Sequence, residues 1–232
     1  MKSTKLLLAL AATAVVGSAS AQSAFQGFYG QIATGYENNT IQNTPVVVVN
    51  QGQTYTSSGS GTASAGGAPL IVGLGYTFSL APQFTLGLGA DYSTLSQTTG
   101  SATGYFSPTD SAVLKYKISN RYNVFLAPGY AIDKDKLAYF KVGYSNQKVE
   151  AQNADGSGGT LGSATTGGYV LGLGYKQIIS GGFYGFAEAN YYSYAKPTIS
   201  KGFTEDNGTN SVASVNPGNN AYNVLVGVGY KF

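Results

Sequence analysis

The last eleven residues of the chain alternate between apolar side chains and small or polar ones. One face of this segment is wholly apolar, with aromatic residues at its ends: Tyr222, Val224, Val226, Val228, Tyr230 and Phe232. The other face is mostly small or polar: Asn223, Leu225, Gly227, Gly229 and Lys231. A period of two is the period of a β-strand, because successive side chains point to opposite sides of a sheet. The pattern therefore predicts a strand whose two faces meet different surroundings.

The same period recurs along the chain and predicts eight strands. They are expected near residues 27–36, 68–79, 83–94, 114–132, 136–150, 164–178, 183–195 and 220–232. Three connections are short and contain the Pro, Asp and Gly residues of tight turns: 80–82, 133–135 and 180–182. Four are long and rich in Ser, Thr, Asn and Gly: about 37–67, 95–113, 151–163 and 196–219. Because long and short connections strictly alternate, we expect an all-β fold, an eight-stranded antiparallel up-and-down barrel.

Aromatic residues bracket the apolar face of five predicted strands, eight positions apart in each. The pairs are Phe28 and Tyr36, Phe84 and Tyr92, Tyr122 and Tyr130, Phe183 and Tyr191, and Tyr222 and Tyr230. Eight residues of a tilted strand rise roughly 20 Å, close to the ~25 Å apolar band that aromatic girdles flank in outer-membrane barrels. Aromatic residues are common in any strand. Five pairs on one face nevertheless favour a transmembrane barrel over a soluble sandwich, with its long loops outside the cell and both termini in the periplasm.

The first 21 residues are typical of a secretory signal peptide. Two lysines precede an apolar run from Leu6 to Val16, which is shorter than the ~20 residues that a spanning helix needs. Ala19-Ser20-Ala21 has the small-x-small form of a cleavage site. We expect export and cleavage after Ala21, with residues 22–232 forming one outer-membrane β-barrel domain.

The composition excludes several classes of protein. The chain has no Cys, so disulfide scaffolds and thiol chemistry are absent. Its net charge of +3 includes Lys2 and Lys5 of the predicted signal peptide, and the nearly neutral remainder gives no electrostatic case for nucleic acid. After the signal peptide no apolar run approaches 18 residues, so we expect no transmembrane helix.

A motif of two glycines around one apolar residue, followed by Tyr, occurs three times. The copies are Gly73-Leu74-Gly75-Tyr76, Gly172-Leu173-Gly174-Tyr175 and Gly227-Val228-Gly229-Tyr230. A glycine-rich nucleotide loop needs a following helix, and the sequence predicts none. The interior of an eight-stranded barrel is just wide enough for side chains, so inward glycines make room there. We expect no cofactor.

Five charged residues fall on the inward faces of different predicted strands. They are the acids Asp91 and Glu188 and the bases Arg121, Lys141 and Lys176. Buried charges cost several kcal/mol each unless they are paired. The set is either the lining of a narrow ion path or a salt-bridged plug that fixes the register of the strands. The plug is the favoured interpretation, because small barrels are filled rather than open.

The sequence gives little support for an enzyme. It has neither His nor Cys, so the commonest general base and the thiol nucleophile are both missing. Asp91 and Glu188 could act as an acid/base pair, but structural pairing with basic neighbours is the favoured interpretation. Glu205 and Asp206 are adjacent but isolated, which makes a poor metal site. We expect no catalytic residues and no bound metal.

The first long loop contains an unusual apolar run. Pro45-Val46-Val47-Val48-Val49 is followed by Asn50-Gln51-Gly52 and then by Tyr55. The pattern predicts a hairpin that extends the first two strands above the membrane. Its edge would either accept a partner strand or pack against the rest of the loop.

Together these features resemble the small outer-membrane β-barrels of the OmpA/OmpX-like and opacity-adhesin-like group within the porin family. The resemblance rests on the signal peptide, the alternation of loops and turns, the Gly-Tyr strand ends and the final Val228-Gly229-Tyr230-Lys231-Phe232. It implies that Val228, Tyr230 and Phe232 form the C-terminal signal read by the outer-membrane assembly machinery. The similarly sized barrel enzymes that modify lipid A rely on histidine, which this chain lacks.

In this family the external loops mediate adhesion or surface contacts. The first hypothesis is therefore a structural or surface-interaction protein that sits in outer-membrane lipid and binds a surface or host ligand through loops 37–67 and 196–219. The alternative is a narrow porin-like channel for small solutes or ions, lined by Arg121, Lys141 and Glu188.

Overall fold

The fold is known from a computed structural model that describes residues 24–42, 45–57, 62–105, 111–154, 160–205 and 208–232. The predicted signal peptide and its cleavage site lie outside these residues. Within the described ranges, no helix is long and apolar enough to cross a membrane.

Fifteen strands make up the described structure. In chain order they are β1 (Gly27–Gln42), β2 (Val47–Asn50), β3 (Gln53–Thr56), β4 (Thr62–Gly67), β5 (Leu70–Ser79), β6 (Phe84–Ser93), β7 (Gln97–Thr98), β8 (Ala102–Tyr105), β9 (Ser111–Ala131), β10 (Lys136–Asn153), β11 (Thr160–Ser180), β12 (Phe183–Tyr194), β13 (Ile199–Thr204), β14 (Asn210–Val215) and β15 (Gly218–Lys231). The eight longest pair antiparallel in the closed order β1–β5–β6–β9–β10–β11–β12–β15–β1. The predicted eight-stranded up-and-down barrel is thus confirmed, and the other strands are additions to it.

The outer face of the barrel is apolar and exposed. Leu74, Leu173 and Val226 are 69%, 67% and 59% exposed, while the residues beside them in sequence turn inward. An exposed apolar band of this kind suits contact with lipid. It follows the predicted alternation on every long strand.

Aromatic side chains face one another across neighbouring strands at both edges of the apolar band. Near the outer edge, Tyr92 lies opposite Tyr122, and Tyr191 opposite Tyr222. Near the turns, ring centroids are 5.5 Å apart for Phe84 and Tyr130 and 4.8 Å apart for Phe183 and Tyr230. All nine residues predicted for the girdle are exposed on the outer face: Phe28, Tyr36, Phe84, Tyr92, Tyr122, Tyr130, Phe183, Tyr191 and Tyr222.

The turns at the other end are short, as predicted. In the turn between β9 and β10, the Lys136 ammonium lies 2.7 Å from the Asp133 carboxylate, and the backbone amide of Asp135 donates to it at 2.8 Å. The hydrogen bond from Lys136, then that from Asp135, holds the pKa of Asp133 below its ordinary value. Gly181 takes a φ of +57° in the turn before β12, where a residue without a Cβ is favoured.

The predicted boundary of the first strand is wrong by six residues, because β1 continues to Gln42 instead of ending at residue 36. Glu37, Asn39 and Ile41 remain buried on its inner face. Beyond the girdle the outer face meets water, so both faces carry polar residues and the apolar alternation disappears from the sequence. Strands β9, β10 and β11 extend past the girdle in the same way.

The hairpin predicted around the valine run exists, and its edge pairs with a segment outside the first loop. β2 and β3 are joined by a two-residue turn in which Gln51 and Gly52 have φ values of +47° and +78°, as in a type I′ turn. β2 pairs with β14, and the second sheet has the order β13–β14–β2–β3. The β1–β15 ladder ends at Gln42 and Gly218, and the β2–β14 ladder begins at Val47 and Ser214. β4, rather than β3, pairs beside the upper part of β1.

The mouth of the barrel is filled by an apolar cluster beneath this second sheet. Its buried members are Ile41, Leu114, Tyr116, Ile118, Val149, Ala151, Ile199 and Val215. Because Ile199 and Val215 belong to β13 and β14, the cluster joins the second sheet, called here the extracellular sheet, to the upper barrel.

Candidate functional site

The centre of the barrel holds a cluster of three charged side chains from three strands. Lys141 of β10 lies between two carboxylates, with its Nζ 2.8 Å from Asp91 Oδ2 and 2.9 Å from Glu188 Oε1. Each residue occupies an inward position of its strand, which is why the three side chains meet. We call Asp91, Lys141 and Glu188 the central charge cluster.

Neutral polar groups complete the central charge cluster. The Tyr139 hydroxyl donates to Glu188 Oε2 at 2.7 Å, and Asn190 Nδ2 donates to Glu188 Oε1 at 2.8 Å. Asn123 donates to the Asp91 carboxylate. These hydrogen bonds and the shared ammonium of Lys141 offset the cost of removing the two carboxylates from water.

A second cluster lies nearer the extracellular rim. Arg121 Nη1 is 2.5 Å from Glu37 Oε2, and its Nη2 donates to Asn39 Oδ1 at 2.6 Å. Gln147 Oε1 accepts from Arg121 Nε at 3.3 Å, and Asn223 Nδ2 donates to Glu37 Oε2 at 3.3 Å. We call Glu37 and Arg121, with these neighbours, the rim cluster.

Glu37 is the buried acid of the candidate site that the sequence interpretation misses. The sequence pattern places it in the first loop, because the apolar alternation of β1 stops at Tyr36. The inward period itself continues through Glu37 and Asn39. A buried Arg121 also needs an acidic partner. These two signals in the sequence could have identified Glu37 as an interior residue.

Lys176 lies apart from both clusters and makes no ion pair with any described residue. Its Nζ donates to Gln31 Oε1 at 3.3 Å. Aromatic rings surround the ammonium, with centroids 4.2 Å away for Tyr29 and 5.0 Å away for Tyr184. Cation–π contacts replace an ion pair here.

The five predicted interior charges are therefore all buried, but they do not form one network. Asp91, Lys141 and Glu188 meet in the centre, Arg121 pairs with Glu37 near the rim, and Lys176 lies toward the turns. The space beside Lys176 is about 10 Å³, roughly enough for one water molecule. Side chains rather than solvent fill this part of the lumen.

Outside the barrel, Glu205 joins two parts of the extracellular sheet. Its Oε1 accepts from Asn50 Nδ2 at 2.8 Å and from Ser211 Oγ at 2.7 Å. Asp206, its neighbour in the sequence, lies outside the described residues. No group of three or more His, Cys, Asp or Glu side chains that could hold a metal occurs in the described part of the chain.

The end of the chain closes the barrel. β15 pairs with β1 on one side and β12 on the other, and Val228 and Tyr230 point outward. Phe232 is 78% exposed, and its backbone amide donates to Phe28 O at 2.9 Å. The three residues of the predicted assembly signal are thus accessible along one outer face.

Comparison with known proteins agrees with this architecture. The family model described as "Outer membrane protein beta-barrel domain" matches residues 7–232. No curated protein matches the chain.

Among solved structures, the outer membrane protease OmpT from Escherichia coli is similar with a TM-score of 0.51 and 11% identity, covering 89% of this chain and 97% of that one. At that identity the similarity shows the fold alone. Ail, the attachment invasion locus protein of Yersinia pestis, has a TM-score of 0.40 and 16% identity, covering 89% and 99% of the two chains. OprG from Pseudomonas aeruginosa has a TM-score of 0.47 and 11% identity, covering 89% and 97%. The match of the family model to nearly the whole chain shows that this protein belongs to the outer membrane β-barrel family.

Proposed function

We propose that the protein is a non-conducting barrel that acts on the extracellular side, as a structural or adhesin-like surface-interaction protein. The observation that carries the proposal is the filled lumen. The central charge cluster, the rim cluster and the apolar cluster at the mouth follow one another along the barrel. Opening a path through them would leave buried charges without partners, which costs several kcal/mol.

The extracellular sheet is the proposed contact surface for a surface or host ligand. Strand β3 lies at one edge of the sheet, and all four of its residues are exposed. Tyr55 of this strand and Val49 of the adjacent β2 are 56% and 42% exposed. An exposed edge can accept an extended segment of a partner through main-chain hydrogen bonds.

The proposed activity is not enzymatic. A general base must be free to take a proton, whereas the carboxylates of Asp91 and Glu188 both accept from Lys141. These acids lie among side chains that fill the interior.

A narrow channel is the alternative, and one observation favours it. Several buried polar atoms of the interior have no hydrogen-bond partner in the described part of the chain, among them Asn123 Oδ1, Gln147 Nε2 and Asn190 Oδ1. Water molecules would satisfy these atoms, and a file of water would be the start of a conducting path.

Measurements of conductance in planar bilayers distinguish a non-conducting surface protein from a narrow channel. We expect the wild-type barrel to show no stable open steps, since its interior charges are paired with one another. Stable steps that change in size in an Arg121→Ala variant would instead assign the protein as a channel. A matched Lys134→Ala variant, altered at an exposed turn position, controls for insertion efficiency.

A binding screen then tests the surface role. Variants in which residues 47–56 are replaced by a short Gly-Ser linker should insert normally and lose binding to the surface ligand of the wild type. Equal binding by the wild type and the loop variant would place the contact elsewhere.

Export and assembly are further parts of the proposal. We propose that the signal peptide is cleaved after Ala21 and that the outer-membrane assembly machinery reads Val228, Tyr230 and Phe232. The exposure of these side chains on one outer face supports this role.

Deleting Phe232 should slow assembly in cells and lower the surface level of the protein, because the terminal aromatic residue is lost. Cell fractionation with a heat-modifiability gel measures both location and barrel closure. Deleting Gln26, before β1, is the matched control. Normal surface levels of the chain without Phe232 would contradict the assignment.

A further inference from the structure

An apolar pocket of about 260 Å³ lies between the extracellular sheet and the rim of the barrel. One wall is formed by β2, β13 and β14 of the sheet. The other wall is formed by the extracellular ends of the barrel strands, with Leu114 from β9 and Leu161 from β11. The pocket lies outside the lumen and has no part in the ion pairs described above.

The wall formed by the sheet is built from one row of paired residues. Val48 of β2 lies opposite Ala213 of β14, and Ala213 lies opposite Lys201 of β13. Next to this row, Ile199 lies opposite Val215. Both are buried members of the apolar cluster in the mouth of the barrel, so the floor of the pocket is firmly packed.

The pocket is separated from the hydrocarbon of the membrane. Leu114 precedes Tyr122 of the outer girdle by eight residues, and Leu161 precedes Tyr169 by eight. Eight residues of tilted strand correspond to roughly 20 Å along the barrel axis. Membrane lipid tails therefore do not reach the pocket, and an occupant must come from the aqueous side.

One cationic side chain stands at the pocket. Lys201 is exposed, and its Nζ contacts the backbone oxygen of Thr160 at 3.4 Å without an ion pair to any described residue. Phe203, two positions further on the same face of β13, is 41% exposed beside it. An apolar cavity with an aromatic side chain and one ammonium group is complementary to a molecule with an apolar body and an anionic head.

We propose that this pocket binds a small amphipathic carboxylate, with its apolar body between the sheet and the rim and its carboxylate on Lys201. An apolar cavity of about 150 Å³ holds one benzene molecule, so the larger pocket here has room for a medium-chain or aromatic acid. The inference deepens the proposed function, since it rests on an extracellular site of action and names a ligand class for it.

The absence of Trp from the chain allows a direct test with a single reporter. A Phe203→Trp variant in lipid nanodiscs places the reporter in the pocket wall, and 8-bromooctanoate, whose bromine quenches indole fluorescence, serves as the probe. A Val49→Trp variant, on the opposite face of β2 from the pocket, is the matched control for probe dissolved in lipid. We expect saturable quenching of Trp at position 203 and only weak, linear quenching at position 49.

Further variants in the Phe203→Trp background test the site and the head group. Ala213→Phe fills the pocket and should abolish saturable quenching, whereas Val212→Phe, on the opposite face of β14, should leave it intact. Lys201→Gln should weaken binding of the carboxylate roughly fivefold and leave binding of 8-bromooctanol unchanged. Lys201 is exposed, so this variant keeps the test available even if Ala213→Phe does not fold.

The proposal is overturned by equal quenching of the two reporters, by unchanged binding in Ala213→Phe, or by equal affinity of the wild-type lysine pocket for the acid and the alcohol. The titration does not depend on a closed lumen. A barrel that conducts ions and also binds the acid would refute only the proposed closed lumen. A barrel that does not conduct ions and shows no saturable quenching of Trp at position 203 would refute only the proposed pocket.

Discussion

Replacing Lys141 with alanine should lower the free energy of unfolding by about 3–5 kcal/mol, the cost of leaving buried acids without their cation. The side chain of Lys141 is 2% exposed, and its ammonium is shared by Asp91 and Glu188. It also lies 4.2 Å from the centroid of the Phe125 ring. Urea titrations of the barrel folded into phospholipid vesicles measure the change.

Two matched variants assign the loss to charge rather than to lost volume. Lys136→Ala removes an ammonium from an exposed turn and should change stability little. A triple variant, Lys141→Met with Asp91→Asn and Glu188→Gln, removes the buried charges together and should recover much of the stability. If Lys141→Ala were as stable as the wild type, the central charge cluster would not hold the barrel together.

Replacing Val226 with arginine should cost roughly 2–4 kcal/mol, the penalty for a cation near the middle of the lipid face. Val226 lies halfway between Tyr222 and Tyr230 on β15 and is 59% exposed. The expected effect arises only in a bilayer, because water would solvate the guanidinium at such an exposed position. Unfolding in vesicles, followed by the gel shift of the folded barrel, measures it.

Val212→Arg is the matched control for the lipid face. Val212 is 48% exposed, but it belongs to β14 of the extracellular sheet. Substitution there should change stability by about 0.5 kcal/mol or less, as for ordinary surface positions. Equal costs at the two sites would mean that β15 does not face hydrocarbon.

The sequence predicted the membrane-spanning part of the fold well, because lipid imposes a strict rule on it. A strand between hydrocarbon and a filled interior must alternate, so Leu74, Tyr92 and Val224 could be assigned to the outer face from their positions alone. The same rule placed Asp91, Arg121 and Lys141 inward. Which charges would meet was not predictable, since pairing depends on the stagger between strands.

The rule fails where the strands leave the membrane. The sequence pattern puts Glu37 in a loop because the outer face of β1 becomes polar in water, although the inner face of the strand continues. β2 and β14 are far apart in the chain, and a local pattern of apolar and polar residues cannot predict that two such segments will pair. The pocket beside Lys201 depends on that pairing and was missed for the same reason.

The extracellular sheet spans the seam at which the barrel closes. β1 and β15 are the first and last long strands, and they meet only when the cylinder is complete. The sheet pairs β2, which follows β1, with β14, which precedes β15. It therefore links the two segments of chain that adjoin that seam. An antibody specific for the joined hairpins would consequently distinguish chains in which these two loops have paired from chains in which they have not.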